Sequence, residues 1–261
     1  TALALALRCG DRYGEGNAAN LLTFNEADVV TRMGLLRQAL AAFEAAGYVE
    51  RQGVVTHNLA LVYTDLGLAR RARRLLLQAA DIYRRTGAIG SLTVTLWVLA
   101  ELVAEAGELQ ASRAYVDEAI ALAETVRDVQ SAAYRPLGYG RLALAEQDYP
   151  LAIAKLAEAS DILSGHDADA LRVSALTLLA RAHLGAGDVA GALVATGRAT
   201  AIHRAHDLAE VEGMDREELW WVHARALAAS GKAVASQRAL ATAYRFVVER
   251  IANVSDEGLR R

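Results

Sequence analysis

The chain has 261 residues, with 56 alanines, only two prolines and a formal net charge of −3. Few prolines and many strong helix formers favour an all-α protein, and the abundant alanine favours helices that pack closely together. The small negative charge excludes a general attraction to nucleic acid or to an anionic membrane, and the single cysteine, Cys9, excludes an internal disulfide.

The N-terminal part predicts a partial unit over residues 1–12 and a degenerate unit over residues 13–47. Leu3–Arg8, followed by Gly10-Asp11, is typical of the end of a helix whose start is missing, so we expect the chain to be a piece of a larger protein. In the second unit, the spacing of Leu36, Ala39 and Phe43 predicts a helix. Before it, residues 25–28 replace the turn that later units carry.

From residue 48 on, one pattern repeats about every 40 residues. In its first copy, Leu59-Ala60 is followed by Tyr63, Leu66-Gly67, Ala72, Leu76 and Ala79. Three further copies follow at shifts of 40, and a last copy follows after 44 residues. Self-similarity at such a period is the mark of a solenoid. The predicted units are 48–88, 89–128, 129–167, 168–207 and 208–252, and residues 253–261 form a polar exit segment.

Each unit is predicted to be two antiparallel helices, A and B, with small residues where they meet. The first set of small residues lies in helix A, the second lies early in helix B, and the third lies near the next unit. Large side chains at these places would hold the helices apart. The three sets are Ala60, Ala100, Gly140, Ala180 and Ala224; Ala72, Ser112, Ala152, Ala192 and Ser236; and Ala79, Ala119, Ala159 and Ala199.

Together these motifs resemble the tetratricopeptide repeat (TPR), whose helix A carries a large residue, then Leu-Gly or Leu-Ala, then Tyr. Leu59-Ala60 and Tyr63 follow this pattern closely, and the last unit follows it in part. The repeat is longer than the usual 34 residues and lacks the final proline; its length resembles that of the kinesin-light-chain type. The resemblance implies a right-handed superhelical α-solenoid of antiparallel helix pairs, about thirteen helices in one domain over residues 1–261.

The last residues, RIANVSDEGLRR, resemble the segment after TPR arrays in large bacterial signalling proteins. In those proteins the arrays lie beside GAF, nucleotide-cyclase, kinase or DNA-binding domains. This resemblance, together with the single cysteine, favours a cytoplasmic regulatory protein. The longest apolar run, near Leu92–Ala100, is too short to span a bilayer.

No motif in the chain predicts catalysis, a metal or a cofactor. The G-x-G-x-x-A matches, at Gly14 and Gly185, fall in predicted helices or turns, whereas a dinucleotide site needs a preceding strand. His203 and His206, with Asp207 and Glu210 nearby, could start a zinc site, but a polar helix end is the favoured interpretation. The arginine run from Arg70 to Arg85 is either a site for an anionic partner or a solvated helix face.

In TPR proteins helix A lines the inner groove, and the residue after the small packing residue points into it. Three consecutive units carry arginine at that position here, and Trp97, Tyr134 and Trp221 lie one or two turns earlier in their own units. Such a row suits a peptide that carries carboxylates, although the arginines could instead pair with neighbouring glutamates or face water. The groove candidates are His57, Leu61, Trp97, Glu101, Tyr134, Arg141, Arg181, Trp221 and Arg225.

The sequence therefore predicts a non-catalytic scaffold that binds a protein or peptide partner in its concave groove, with an acidic partner if the arginines contact it. The alternative is an effector-sensing or autoinhibitory arm of an enzyme or transcription regulator. Its output domain, of nucleotide cyclase, kinase or ATPase type, would then lie outside this chain. Neither hypothesis involves direct contact with nucleic acid or membrane, and the oligomeric state is not specified by the sequence.

Overall fold

A computed structural model describes residues 1–125, 129–207, 211 and 214–256. These residues contain thirteen α-helices, a 3-10 turn at Thr23–Asn25 and no β-strand. The all-α fold class and the number of helices are as predicted. In chain order the helices are α1 (Ala2–Cys9), α2 (Arg12–Leu22), α3 (Val29–Ala46), α4 (Val49–Asp65), α5 (Ala69–Thr86), α6 (Ile89–Glu105), α7 (Leu109–Ala123), α8 (Val129–Ala145), α9 (Tyr149–Ile162), α10 (Asp169–Gly185), α11 (Val189–Ala205), α12 (Arg216–Ala229) and α13 (Ala233–Ala252).

The helices form two compact units. The first unit contains Thr1–Leu102 and the residues from Arg250 on, and the second contains Val103–Glu249. Within the first unit α2 packs on α3 and α4 packs on α5; within the second, α8 packs on α9 and α10 packs on α11. In the repeats predicted from residue 48 on, the even-numbered helices α4 to α12 are the A helices, and the helix after each is its B helix. The 208–212 part of the last unit is described only at residue 211.

The turn from helix A to helix B needs one residue with a positive φ. Gly67 has φ of 69° there, and the backbone N–H of Leu68 donates to the carbonyl of Tyr63 to close α4. Glycine adopts this left-handed conformation without a steric penalty, which explains the repeated glycine. The equivalent residue in the third full repeat, residues 129–167, is Gln147, with φ of 62°. A side chain in this conformation costs about 1–2 kcal/mol.

We expect Gln147→Gly to raise the free energy of unfolding by about 0.5–1 kcal/mol, because the relief of backbone strain exceeds the extra entropy lost by glycine. The reciprocal change at the equivalent turn, Gly187→Gln, should lower it by about 1–2 kcal/mol. Urea denaturation followed by circular dichroism measures both. A Gln147→Gly variant no more stable than the parent chain would contradict this interpretation.

The small residues predicted at the helix seams are buried, except for Ser236, which is half-buried. Ala60, Ala72 and Ala79 are fully inaccessible in the first unit, as are Ala152 and Ala159 in the second. Larger side chains fill the space between them, including Leu76 and Leu156, which are also fully buried. At the last seam a hydrogen bond adds to the packing, since the Ser236 hydroxyl donates to the Ala224 carbonyl of α12 at 2.8 Å.

Gly140 shows how close two helices come at a seam. A Cβ added to Gly140 would lie 2.6 Å from Cγ of Leu156 and 3.2 Å from its backbone nitrogen. These distances are shorter than van der Waals contact, and Leu156 has no accessible surface into which it could move. Helix α8 therefore needs a residue without a side chain at this position.

Gly140→Ala should lower the free energy of unfolding by about 1–3 kcal/mol because it overpacks this seam. The matched control is Gly197→Ala in α11, where an added Cβ meets no atom within 4 Å. That change should stabilise the protein by about 0.5–1 kcal/mol through helix propensity. Thermal or urea unfolding measures the free energy of unfolding of both variants and of the parent chain. If both variants shift stability in the same direction, steric closeness at Gly140 is not the cause.

In the first unit, the start of α3 contacts the segment that follows α13. Asp28 caps α3, accepting from the backbone N–H of Thr31 at 2.9 Å, and also accepts from the backbone N–H and hydroxyl of Ser255 at 2.8 and 3.0 Å. The hydrogen bonds from Thr31, followed by those from Ser255, hold the pKa of Asp28 well below its usual range. The predicted polar exit thus starts as a packed segment, with Val254 buried. Its last residues, 257–261, lie outside the described part.

Candidate functional site

The three arginines predicted for the groove lie on consecutive A helices of the second unit: Arg141 on α8, Arg181 on α10 and Arg225 on α12. Each follows a small residue of the seam, namely Gly140, Ala180 or Ala224, which is buried. Because the next residue of a helix points about 100° away from its neighbour, the arginine side chain leaves the seam. Arg141 is half-buried, whereas Arg181 and Arg225 are exposed.

Two of these arginines connect one A helix to the next. Arg141 donates from Nη2 to Oγ of Ser174 at 3.1 Å, and Arg181 donates from Nη1 to Oε1 of Glu218 at 2.6 Å. Ser174 and Glu218 occupy equivalent positions in successive repeats, two turns before the arginine of the same helix. The sequence left glutamate pairing open as an alternative, and Arg181 makes such a pair. With 41% of the Arg181 side chain and 31% of the Glu218 side chain exposed, the pair contributes about 0–1 kcal/mol.

Arg225 differs from the other two because its guanidinium lies over an aromatic ring. The carbon Cζ is 4.8 Å from the ring centroid of Trp221, one turn earlier on α12. Trp221 is 45% exposed, a large accessible fraction for an indole. Within the described residues Arg225 makes no ion pair. The C-terminal end of the arginine row therefore offers an apolar surface and a cation together.

The remaining candidate of the second unit, Tyr134 on α8, is half-buried and engaged in interactions within the protein. His57, Leu61, Trp97 and Glu101 belong to the first unit, on α4 and α6. Leu61 is exposed, and Trp97 and Glu101 are half-buried with partners of their own. Their roles in a groove stay predictions.

His57 is a neutral imidazole held between two A helices. Its Nδ1 is 3.0 Å from Oγ1 of Thr95, whose hydroxyl donates to the Ser91 carbonyl at 2.8 Å. Since that hydroxyl proton is already used, Nδ1–H of His57 donates to Thr95. Burial lowers the pKa of His57 from 6.5 to about 4. This side chain therefore acts as a structural link at neutral pH.

Protonation of His57 should destabilise the fold. Because its pKa is lower in the folded state than in the unfolded chain, the unfolded chain binds the extra proton between pH 6.5 and about 4. The stabilisation, on the order of 3 kcal/mol, is complete above pH 6.5 and is lost as the pH falls through this window. His57→Gln should remove this part of the pH dependence.

The measurement is the free energy of urea unfolding at pH 7.5 and 4.5 for both proteins. Other titrating groups contribute equally to each, so the difference between the two pH profiles isolates His57. Parallel profiles would show that His57 is not buried as described.

The two histidines considered as a possible zinc site contact other residues of the protein. His203 is buried and accepts from Nε1 of Trp220 at 3.0 Å, whereas Nε2 of His206 lies 2.9 Å from Oδ2 of Asp169. The interpretation as a polar helix end is therefore right for His206 and wrong for His203, because α12 covers the latter. Glu210 lies outside the described residues. In the part of the chain that is described, no group of three or more His, Cys, Asp or Glu could hold a metal ion.

The arginine run on α5 lies mainly on a solvated face. Arg70 and Arg74 are exposed, Arg85 pairs with Asp81 at 3.0 Å, and Arg71 lies over the Tyr63 ring. Gly14 and Gly16 lie inside α2, which leaves no phosphate-binding loop there. Across the described ranges, no helix has both the length and the apolar character needed to cross a bilayer.

No family model matches the chain, and neither does any curated protein sequence. Solved structures share its architecture. It is similar to a Rap protein complexed with Competence and Sporulation Factor, with a TM-score of 0.66 and 14% identity over 93% of this chain and 76% of that one. It is also similar to a Podosopora anserina putative kinesin light chain with nearly identical TPR-like repeats, with a TM-score of 0.53 and 22% identity over 77% and 97% of the two chains.

The chain has the fold of a tetratricopeptide-repeat array. A third similar structure shows such an array as one part of a longer chain. This is a signal transduction ATPase with numerous domains from Pyrococcus horikoshii, described as having a tetratricopeptide repeat sensor. The match has a TM-score of 0.61 and 11% identity, and it covers 90% of this array but only 35% of the ATPase. At these identities the similarity establishes the fold alone.

The sequence left pairing of the arginines open, and it did not specify their partners. Arg141 and Ser174 are 33 residues apart, and Arg181 and Glu218 are 37 apart, slightly less than one repeat in each case. The partner lies seven residues, about two turns, before the equivalent position on the next A helix. This fixed separation in sequence could have identified the partners of Arg141 and Arg181.

Proposed function

We propose that this TPR array is a non-catalytic binding module whose partner is a protein segment with acidic side chains. The segment docks on the A helices of the second unit, with its main contacts at Trp221 and Arg225. The observation that carries this proposal is the exposed indole of Trp221, which lies under a guanidinium that has no carboxylate partner among the described residues.

The chemistry of this pair supports such a partner. Tryptophan and arginine are the residues that most often carry the binding energy of an interface. The ring holds the guanidinium in place, so less side-chain entropy is lost when Arg225 binds a carboxylate in the bidentate manner. Arg181, which is already paired with Glu218, could exchange this carboxylate for one of the partner.

The comparisons support a binding role in a limited way. A Rap protein with this fold was solved in complex with Competence and Sporulation Factor, so the architecture is compatible with holding another molecule. The setting that we propose is the cytoplasm of a bacterium, in a regulatory or signalling protein. The exposed free thiol of Cys9 fits a reducing compartment.

The test starts from peptides selected on the parent chain from a display library, and uses the affinities of the acidic binders. Arg181→Glu combined with Arg225→Glu should weaken binding at least about 10-fold, since each lost charge-assisted contact is worth about 1.5–3 kcal/mol. Glu218→Gln should strengthen binding, because it releases Arg181. Isothermal titration calorimetry measures the affinity of the parent chain and of both variants for the peptide, and circular dichroism verifies that their helix content is unchanged.

Arg198→Glu is the matched control, since Arg198 is exposed on α11, a B helix, and lies outside the arginine row. It should leave the affinity unchanged. A library that yields no acidic binders, or binders that tolerate the double change as well as the control, would overturn the proposal.

The second candidate is a sensory or autoinhibitory arm of a larger enzyme or transcription regulator. The similarity to the Pyrococcus horikoshii ATPase favours this candidate, because the array matches only 35% of the ATPase chain, which has a TPR sensor. Reading the parent gene on both sides of the present sequence tests this alternative, because it requires a coding region for an output domain on at least one side.

A further inference from the structure

A cleft lies where the last two repeats of the second unit meet. It has a volume of about 630 Å³ and is lined by α11, α12, α13 and Asp207, which follows α11. Cavities of this size hold small organic ligands. Part of its wall is apolar, with Trp220 and Leu227 from α12 and Ala239 from α13.

The charged groups of the cleft are three arginines and one aspartate, Arg204, Arg238, Arg245 and Asp207. The lining thus carries an excess of positive charge, although the whole chain has a net charge of −3. Low-dielectric walls strengthen the field of such a cluster and raise the local concentration of anions.

Among the described residues, the arginines of the cleft have few acidic partners. Arg204 lies over the Trp220 ring, with Cζ at 4.7 Å from its centroid, and has no acidic partner among the described residues. The guanidinium of Arg238 likewise has no hydrogen bond or ion pair there. Arg245 lies 3.7 Å from a carboxylate of Glu249, but that carboxylate also accepts from Arg216 at 3.1 Å.

His223 adds a neutral acceptor to the wall. Its Nδ1 lies 2.9 Å from Oγ1 of Thr196, and the hydroxyl of Thr196 donates to the Ala192 carbonyl. Nδ1 therefore carries the proton, and Nε2 has the free lone pair. Burial and, second, the charge of Arg204 lower the pKa of His223. An anion in the cleft would offset the second effect and favour protonation of Nε2.

This cleft is separate from the site proposed above. Residues of a helix are rotated by about 100° from one to the next, so Trp220, His223 and Leu227 form one side of α12. Trp221 and Arg225 project roughly 150° away from that side. Helix α12 thus contributes to two surfaces with different chemistry, and loss of one would not by itself remove the other.

We propose that the cleft between α11, α12 and α13 binds a small organic molecule with two or more anionic groups, either phosphates or carboxylates. Arg238 and Arg245 are two turns apart on α13, about 10 Å along the helix axis. A ligand with separated charges can reach both, and its apolar part fits against Trp220 and Leu227. The guanidinium fork binds phosphate and carboxylate equally well, so the experiment distinguishes these two sources.

The probes are inorganic tripolyphosphate and citrate, titrated into the full chain at constant ionic strength set with chloride. We expect saturable binding of at least one of them, and the tighter probe identifies the kind of anionic group. Arg238→Gln should weaken that binding at least about fivefold, because it removes from the cleft a guanidinium that has no acidic partner among the described residues. Arg198→Gln removes an equal charge from α11 outside the cleft and should have no effect.

Nuclear magnetic resonance of the His223 ring supplies a second readout. The bound probe should raise the pKa of His223, whereas Arg238→Gln should reduce this change at the same probe concentration. Failure of both probes to bind, equal loss of affinity in the two arginine variants, or a His223 pKa that does not respond to the bound probe would each overturn the proposal.

Discussion

Close approach between helix backbones is the constraint on which the rest of this array depends. At seams such as those of Ala72, Gly140 and Ala192, the side chain is a methyl group or a hydrogen, and each position is buried. Dispersion contacts and apolar burial accumulate only when the helices are that near each other. A pair of helices has two apolar sides, so it remains incompletely buried until a neighbouring pair covers it.

This closeness also determines what the exposed residues can do. Because each arginine follows a seam residue, its position relative to the next A helix is set by packing, and not by the arginine itself. Arg141 and Arg181 reach Ser174 and Glu218 for that reason. Arg225 lies on the last A helix, where no further A helix among the described residues supplies a partner, and its guanidinium packs on Trp221 instead. One repeated position thus has two different roles.

The repeat, the helix order and the turns could be predicted from the sequence. Close packing requires small residues at the seams, and these residues recur about every 40 positions. The hydrogen-bond partners of side chains could not be predicted from the sequence, because a long arginine side chain can reach several acceptors. His203 illustrates the limit: its neighbours His206 and Asp207 suggested a polar end, whereas Trp220, 17 residues later, covers it. The cleft beside it was missed for the same reason, because its three arginines come from two helices and follow no sequence motif.

The hydrogen bonds between Asp28 and Ser255 join residues 227 positions apart, whereas most other contacts of a repeat array are local in sequence. Closing so long a loop costs more chain entropy than docking adjacent helices does. During synthesis, moreover, the first unit lacks this segment until the second unit has been made. Protection of the Ser255 amide from hydrogen exchange would therefore report that the first unit has closed.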